Sequence, residues 1–438
     1  MLAVVLAAGR GERLRPLTLT RPKVLLEVGG KPILSFILEA LREVGIKEAI
    51  LVVNYMEEAI RTWLGDGSKF GLEVSYVRQE ELRGTADAIA SALRAVGGEE
   101  EVLVVYGDLF ITEGALRPVI EEHRSHKPLA TMGVVEVERP CEFGMVRTGE
   151  GWLRDLVEKP SKWPYRPLAN TGIYVLSNEA LEAMKEATPS ERGELEATDV
   201  LRKLAQEGDT VRVAEVSPSD WLDVGRPWDL LEANERALSR LKPKILGRVE
   251  AGAHIVGPVV VEENARIRSG AYIEGPTYIG PGSDIGPNCY IRPCTSIGRG
   301  VRIGNACEVK NSIVMEGTHI GHLSYVGDSI IGAYCNLGAG TITANLRFDK
   351  ANIRMVLKGR VVDTGRRKMG VIMGDLVQTG IGVLTMPGVR IWPRCWIGPN
   401  VVVYKDVAEE GSFVLLEQSL ALRSVPGAGE GAREAQGP

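Results

Sequence analysis

The chain has 438 residues, with 52 Lys and Arg against 57 Asp and Glu, a net charge of 52 − 57 = −5. That length suits two or three domains, and the mild acidity excludes a general nucleic-acid binder, which is normally basic. Glycine is the compositional anomaly, at 51 of 438 residues or about 12% against roughly 7% on average, so many tight turns are needed.

The apolar start, Met1–Ala8, lacks the basic segment and cleavage site of a signal peptide, and no apolar run reaches the ~20 residues that span a bilayer. The six cysteines form no CxxC pair. Zinc sites and disulfide frameworks are therefore not expected, and a cytoplasmic, membrane-free protein is.

Residues 1–227 alternate strand-like runs (Ala3–Ala7, Ala49–Val53, Val74–Val77, Val102–Val105) with helical ones (Leu34–Val44, Ala86–Val96). That order predicts an α/β, Rossmann-like domain on a parallel sheet, with ligands at the loops after the strands. Residues 6–23 form a Gly-rich turn after the first strand, whose N–H groups can close on an anion. It is not a Walker loop, and Leu14 stands where a dinucleotide fingerprint needs its third Gly. Arg10, Arg13, Arg15, Arg21 and Lys23 place five cations within 14 residues, a density suited to a triphosphate.

Residues 228–244 read as a helical connector. From 245 to 426 the period changes: Ile255, Val261, Ile267, Ile273, Ile279, Ile285, Ile291, Ile297, Ile303 and Val309 recur every six residues. A six-residue period predicts a parallel β-helix, each step forming one side of a triangular coil. The period is interrupted at 346–369 and resumes at Ile391, Ile397 and Val403. The interruption holds eight cations, including Lys350, Arg354, Lys358 and Arg366, against Asp349 and Asp363, and reads as a basic loop that contacts phosphate. Residues 427–438 read as a frayed tail.

Gly9-x-Gly11-x-Arg13-Leu14 followed by Arg21-Pro22-Lys23 resembles the signature of the sugar-1-phosphate nucleotidylyltransferases. The resemblance continues through Gln79, Gly84-Thr85, Tyr106-Gly107-Asp108, Phe143-Gly144, Glu158-Lys159-Pro160, Asn170-Thr171-Gly172 and Trp221–Gly225. It implies nucleotide binding by Leu6, Ala8, Gly9, Gly11, Gln79, Gly84 and Thr85, and sugar-phosphate binding by Gly144, Glu158, Lys159 and Asn170. It further implies Mg²⁺ on Asp108 and Asp223, with Arg13 and Lys23 as catalytic cations. A glutamine can accept from N3–H and donate to a carbonyl of uracil or thymine, which favours UTP or dTTP. Glu12 departs from the Thr of many members.

The run His322–Asn345 closely resembles the acetyltransferase motif of the bifunctional glucosamine-1-phosphate acetyltransferase / N-acetylglucosamine-1-phosphate uridylyltransferases. The resemblance implies a left-handed coil and His322 as general base, oriented by Glu308. Arg292 and Lys310 would hold phosphate, and Tyr325, Asn336 and Asn345 would position substrate and the acetyl group of acetyl-CoA. Where the bacterial family has a loop lysine this chain has Ala351, with Lys350 beside it and Arg354 three residues on. Members with this coil are trimers, so a homotrimer is implied. The expected activity is acetylation of an amino-sugar-1-phosphate and transfer of UMP or dTMP to a sugar-1-phosphate. The alternative is a monofunctional thymidylyl- or uridylyltransferase whose coil only oligomerises it.

Overall fold

A computed structural model describes residues 1–97, 100–190, 192–421 and 423. The expected tail, 427–438, lies outside them. The amino-terminal half is built on a nine-stranded sheet. Its order is Glu73–Arg78, Glu48–Val53, Leu2–Leu6, Glu101–Tyr106, Leu168–Ser177, Ala130–Glu136, Val211–Val216, Trp152–Glu158 and Gly144–Gly149. The first four strands are parallel. Leu168–Ser177 runs antiparallel to both neighbours, so the sheet is mixed rather than parallel throughout. The chain enters that strand from the hairpin Gly144–Gly149/Trp152–Glu158, with no crossover helix to reverse its direction.

Side chains alternate across the sheet as the pleat requires. Ala3 and Val5 pack with Ile37, Leu116 and Val119 of helices Ile33–Glu43 and Glu113–His126. Leu2 and Val4 pack on the other face with Ile89 and Leu201 of helices Thr85–Val96 and Ala197–Gln206. The loops after Leu6 and Tyr106 emerge side by side from neighbouring parallel strands, where α/β sheets place their ligands.

The carboxy-terminal half winds into three parallel sheets of eight, nine and eight strands, the architecture of a left-handed parallel β-helix. Ile255, Ile273 and Ile291 stack in register, 273 − 255 = 18 residues per turn, or three six-residue sides. They belong to one aliphatic column inside the coil. Val309 pairs with Val326, a step of 17, so one corner after Val309 is a residue short. After the interruption the coil resumes earlier than the aliphatic pattern shows. Met373, Thr379 and Thr385 pair with Ile331, Leu337 and Thr343, and the two threonines are buried in inward places.

The interruption is not a free loop. Arg354–Leu357 and Arg360–Asp363 form a β-hairpin that folds back on the amino-terminal half. Ile353, Met355, Leu357 and Met369 share one buried cluster with Leu14, Leu17, Phe110 and Trp228, and with Ile313, Met315 and Ile330 of the coil. The two halves therefore share a core. The connecting helix, Pro227–Ser239, is part of it. Its Asn234 is fully buried: Oδ1 accepts from Gly29 N and Ser296 Oγ at 2.9 and 2.6 Å, and Nδ2 donates to Cys294 O at 3.0 Å. Among the described residues no helix is long and apolar enough to cross a membrane.

Candidate active sites

The first site lies at the carboxyl ends of Leu2–Leu6 and Glu101–Tyr106. Gly11 adopts φ 61°, and a Cβ there would lie 2.9 Å from Thr18 Cγ2 and 3.0 Å from Lys23 Cβ. Only glycine lets this loop turn so tightly against the segment that carries Lys23. The Lys23 ammonium is buried and ion-paired with Asp108. Asp223 sits on a short strand, Trp221–Asp223, paired with Leu109–Ile111 directly after Asp108. A Cβ on Gly225 would approach Arg13 Nη2 to 2.9 Å and Asp223 Oδ2 to 3.3 Å, so the guanidinium and this carboxylate converge.

Arg13, Asp108 and Asp223 line a cavity of about 280 Å³ together with Thr85, Gly144, Glu158, Lys159 and Asn170. Sequence-expected nucleotide, metal and sugar residues thus meet around one space. Burial raises both aspartates' pKa values. Lys23 and Arg13 outweigh it at Asp108, which falls below the usual carboxylate range, whereas the neighbouring Asp108 charge pushes Asp223 further up. Two carboxylates competing for the same cations make a site that favours an added hard cation, and two carboxylates plus phosphate oxygens suit Mg²⁺. Among the described residues no group of three or more His, Cys, Asp or Glu could hold a metal, so the remaining ligands would come from the substrates or water.

Other positions are committed more narrowly than their residue types allow. Gln79 is buried, and its Nε2 donates to Asp87 Oδ2 at 2.8 Å and to Gly84 O at 3.2 Å. Only Oε1 is left for a base, so the expected donation to a carbonyl is not available from this side chain. Asn170 donates to Tyr174 Oη and accepts from Gly172 N. The Glu158 carboxylate approaches the Gly144 backbone, since a Cβ there would lie 2.5 Å from Glu158 Oε2. Burial raises the Glu158 pKa, against Arg192 and Lys159. Arg21 does not join Arg13 and Lys23 at this site. It turns to the coil, 2.9 Å from Asp375 and 3.2 Å from Glu316.

The second site lies on the coil near the short corner. Asp328, 2% exposed, gathers three donors: Lys310 Nζ at 3.2 Å, Asn311 Nδ2 at 2.9 Å and Asn345 Nδ2 at 2.5 Å. Asn345 Nδ2 also reaches Tyr325 Oη at 3.1 Å. Arg292 Nη1 donates to Glu308 at 2.9 Å. Sequence reasoning missed Asp328, a residue at φ 49° whose three donors lie 17 or 18 residues away along the coil. His322 is exposed on an adjacent side of the coil, paired across strands with Asn305. Its ring has no hydrogen-bond or ionic partner among the described residues, and Glu308 is engaged with Arg292 instead. Asn336 is exposed on that same side, beside His319. Three of the eight cations of the expected phosphate-contacting loop are held in ion pairs. Lys358 pairs with Glu12 at 2.7 Å, Arg366 with Glu235 at 2.5 Å and Arg347 with Asp349 at 2.6 Å. Lys350 and Arg354, beside Ala351, have no ion-pair partner among the described residues.

Comparison with known proteins accounts for both halves. A nucleotidyl transferase family model matches residues 2–240, and a GMPPB C-terminal domain model matches residues 273–379. The chain is 41% identical to the "Bifunctional protein GlmU" of Methanocaldococcus jannaschii, covering 97% of this chain and 100% of the relative. It is 41% identical to the bifunctional sugar-1-phosphate nucleotidylyltransferase/acetyltransferase of Sulfurisphaera tokodaii, covering 93% and 98%. A glucose-1-phosphate thymidylyltransferase of Streptomyces griseus is 37% identical, covering 86% and 93%.

Proposed function

We infer the division of labour between the two sites from one premise: the chain belongs to the nucleotidyl transferase family and, within it, to the bifunctional GlmU-type sugar-1-phosphate nucleotidylyltransferase/acetyltransferases. It is a two-activity transferase. In the first half a phosphate oxygen of a sugar-1-phosphate, such as N-acetylglucosamine-1-phosphate or glucose-1-phosphate, attacks the α-phosphorus of UTP or dTTP. The bond to the β-phosphate breaks and pyrophosphate leaves. Arg13 and Lys23 neutralise the charge that gathers on the phosphates, a step that relies on positioning and preorganised electrostatics. Asp108 and Asp223 would hold Mg²⁺, which when bound would supply positive charge to screen the phosphates. Lys23 exchanges Asp108 for phosphate as the substrate enters. Gln79 Oε1 accepts from N3–H, a contact that uracil and thymine both offer. Glu158, Lys159, Asn170 and the Gly144 backbone seat the sugar phosphate.

In the second half an amino-sugar-1-phosphate, glucosamine-1-phosphate or its galactosamine counterpart, attacks acetyl-CoA. The amine must be neutral, so His322 takes its proton; the new C–N bond forms as the thioester C–S bond breaks, and CoA leaves. The phosphate binds Arg292 and Lys310. That contact draws Arg292 away from Glu308 and frees the carboxylate to orient His322. Asn345 and Tyr325 position the amine and the acyl carbonyl. The exposed His322 side, and the fully exposed Phe348 three residues after Asn345, fit a site closed by a neighbouring copy in a homotrimer. The observation that carries this reading is the meeting of Arg13, Asp108, Asp223 and the sugar-phosphate positions around one cavity, with Lys23 on Asp108.

The test follows both leaving groups. Lys23→Ala is expected to cut Mg²⁺-dependent pyrophosphate release by about 10²–10³-fold, to a residual rate that is still measurable, and leave CoA release intact. His322→Ala is expected to cut CoA release by about 10²–10⁴-fold and leave pyrophosphate release intact. No CoA release from the unaltered protein with either amino sugar would make the coil a scaffold for a monofunctional nucleotidylyltransferase.

A further inference from the structure

Lys23 stands on weak local structure. Residues 12–25 contain three single 3₁₀ turns, Glu12–Leu14, Leu17–Leu19 and Lys23–Leu25. Such turns have no stability of their own, so tertiary contacts must hold the segment. The contacts come from the other half of the chain. Arg21 Nη2 donates to Asp375 Oδ2 at 2.9 Å and to Glu316 Oε1 at 3.2 Å, and Thr20 Oγ1 donates to the same Asp375 oxygen at 2.8 Å. The guanidinium is 15% exposed and the Asp375 carboxylate 11%. The second Asp375 oxygen accepts from Ala333 N at 2.8 Å, which anchors the carboxylate in a corner of the coil.

Only Pro22, held at φ −67°, separates Arg21 from Lys23. A proline there leaves little freedom to absorb a shift, so movement at Arg21 is passed to Lys23. The rest of the segment is held the same way. Leu14 and Leu17 lie in the buried cluster with Met355 and Leu357 of the inserted hairpin, and Lys358 at the hairpin tip pairs with Glu12.

We propose that Arg21, clamped by Asp375 and Glu316, is the positioning residue through which the coil sets Lys23 in the nucleotidylyl site. The second half of the chain is then a working part of the first half's active site as well as the seat of its own reaction. This rests on the assignment of Lys23 to nucleotidylyl transfer. It also explains why Arg21 turns to the coil and not to the cavity that Arg13 lines.

The test uses the full chain. Asp375→Asn keeps an oxygen for Ala333 N and removes the charge that faces Arg21. Misplacing a catalytic group by about 1 Å costs on the order of 10²-fold. The kcat of pyrophosphate release is expected to fall by about 10- to 100-fold, with CoA release from the same preparation within about twofold. Arg21→Met should match it. Arg21→Met/Asp375→Asn should be no worse than either alone, because both cut one link. In a Lys23→Ala background Asp375→Asn should cost nothing further, a non-additivity that a general loss of stability would not produce. Pyrophosphate release unchanged in Asp375→Asn and Arg21→Met overturns the proposal, as does a full additional loss in the Lys23→Ala background. If Asp375→Asn also loses CoA release, the coil corner has failed, and Arg21→Met, which lies outside the coil, decides. An unaltered protein that releases no pyrophosphate overturns the assignment of the first site and this proposal with it; an active one with indifferent variants overturns the proposal alone.

Discussion

Replacing Asp328 by alanine tests the acetyl-transfer site where the structure is most specific. The carboxylate is 2% exposed and receives hydrogen bonds from Lys310, Asn311 and Asn345. Two of those donors, Lys310 and Asn345, are the ones assigned to substrate. A hydrogen bond to a charged group contributes about 1.5–3 kcal/mol. Asn345 keeps its contact to Tyr325, and the Lys310 side chain, at 19% exposure, regains some water, so the low end applies to each. Two such losses give about 3 kcal/mol. At 1.36 kcal/mol per tenfold, kcat/KM for CoA release should fall by roughly 10²-fold. Asp328→Asn retains an acceptor but not the charge, and should lose about tenfold. The assay is CoA release against amino-sugar-1-phosphate concentration, with pyrophosphate release from the same preparation as the control. An unchanged kcat/KM in Asp328→Ala would refute the network's role, and an equal fall in both activities would show a global defect instead.

Three further outcomes are expected. Burial, with Glu316 adding to it, raises the Glu27 carboxyl to about 7 against Arg21 and Arg299. A folded pKa above the ordinary 4.5 means that its contribution is fully present below about pH 4.5 and is lost as pH rises through 7, so the unfolding temperature should drop between pH 5 and 8 more steeply than in Glu27→Gln. Equal slopes would refute this. Met355→Ala removes a 2%-exposed side chain from the shared core and should destabilise the protein by about 2–5 kcal/mol in denaturant melts; a change below about 0.5 kcal/mol would mean the hairpin is undocked in solution. Chelation of divalent cations should stop pyrophosphate release and spare CoA release, since no metal is assigned to the coil; loss of both would contradict that assignment.

The coil was legible because its period is local: one inward aliphatic every six residues states the fold without reference to distant contacts. It became illegible where threonine fills the same inward place, at Thr379 and Thr385, because the pattern records hydrophobicity and not burial. The first site was legible as a set of residue types, and the cavity brings most of them together. Arg21 was misread because its partners, Asp375 and Glu316, lie 354 and 295 residues away in the chain. The docking of the basic insertion was missed for a similar reason: its charges stand out in sequence, while the Ile353, Met355 and Leu357 that dock it are too few to show a period. Asp328 carries no local signature, since its three donors meet it only after the coil closes.

The shared core has a consequence for biosynthesis. Leu14, Leu17 and Trp228 leave the ribosome well before Ile372 does. The interval from Ala237 is 372 − 237 = 135 residues, or roughly 7–27 s at bacterial and eukaryotic elongation rates of about 5–20 residues per second. The first cover from the coil, Ile313, comes 313 − 237 = 76 residues after Ala237, and until then the nascent amino-terminal half carries an apolar face with nothing to cover it. It is the stage at which this protein most needs a chaperone, and the reason a gene cut between the halves would yield a fragment prone to aggregation.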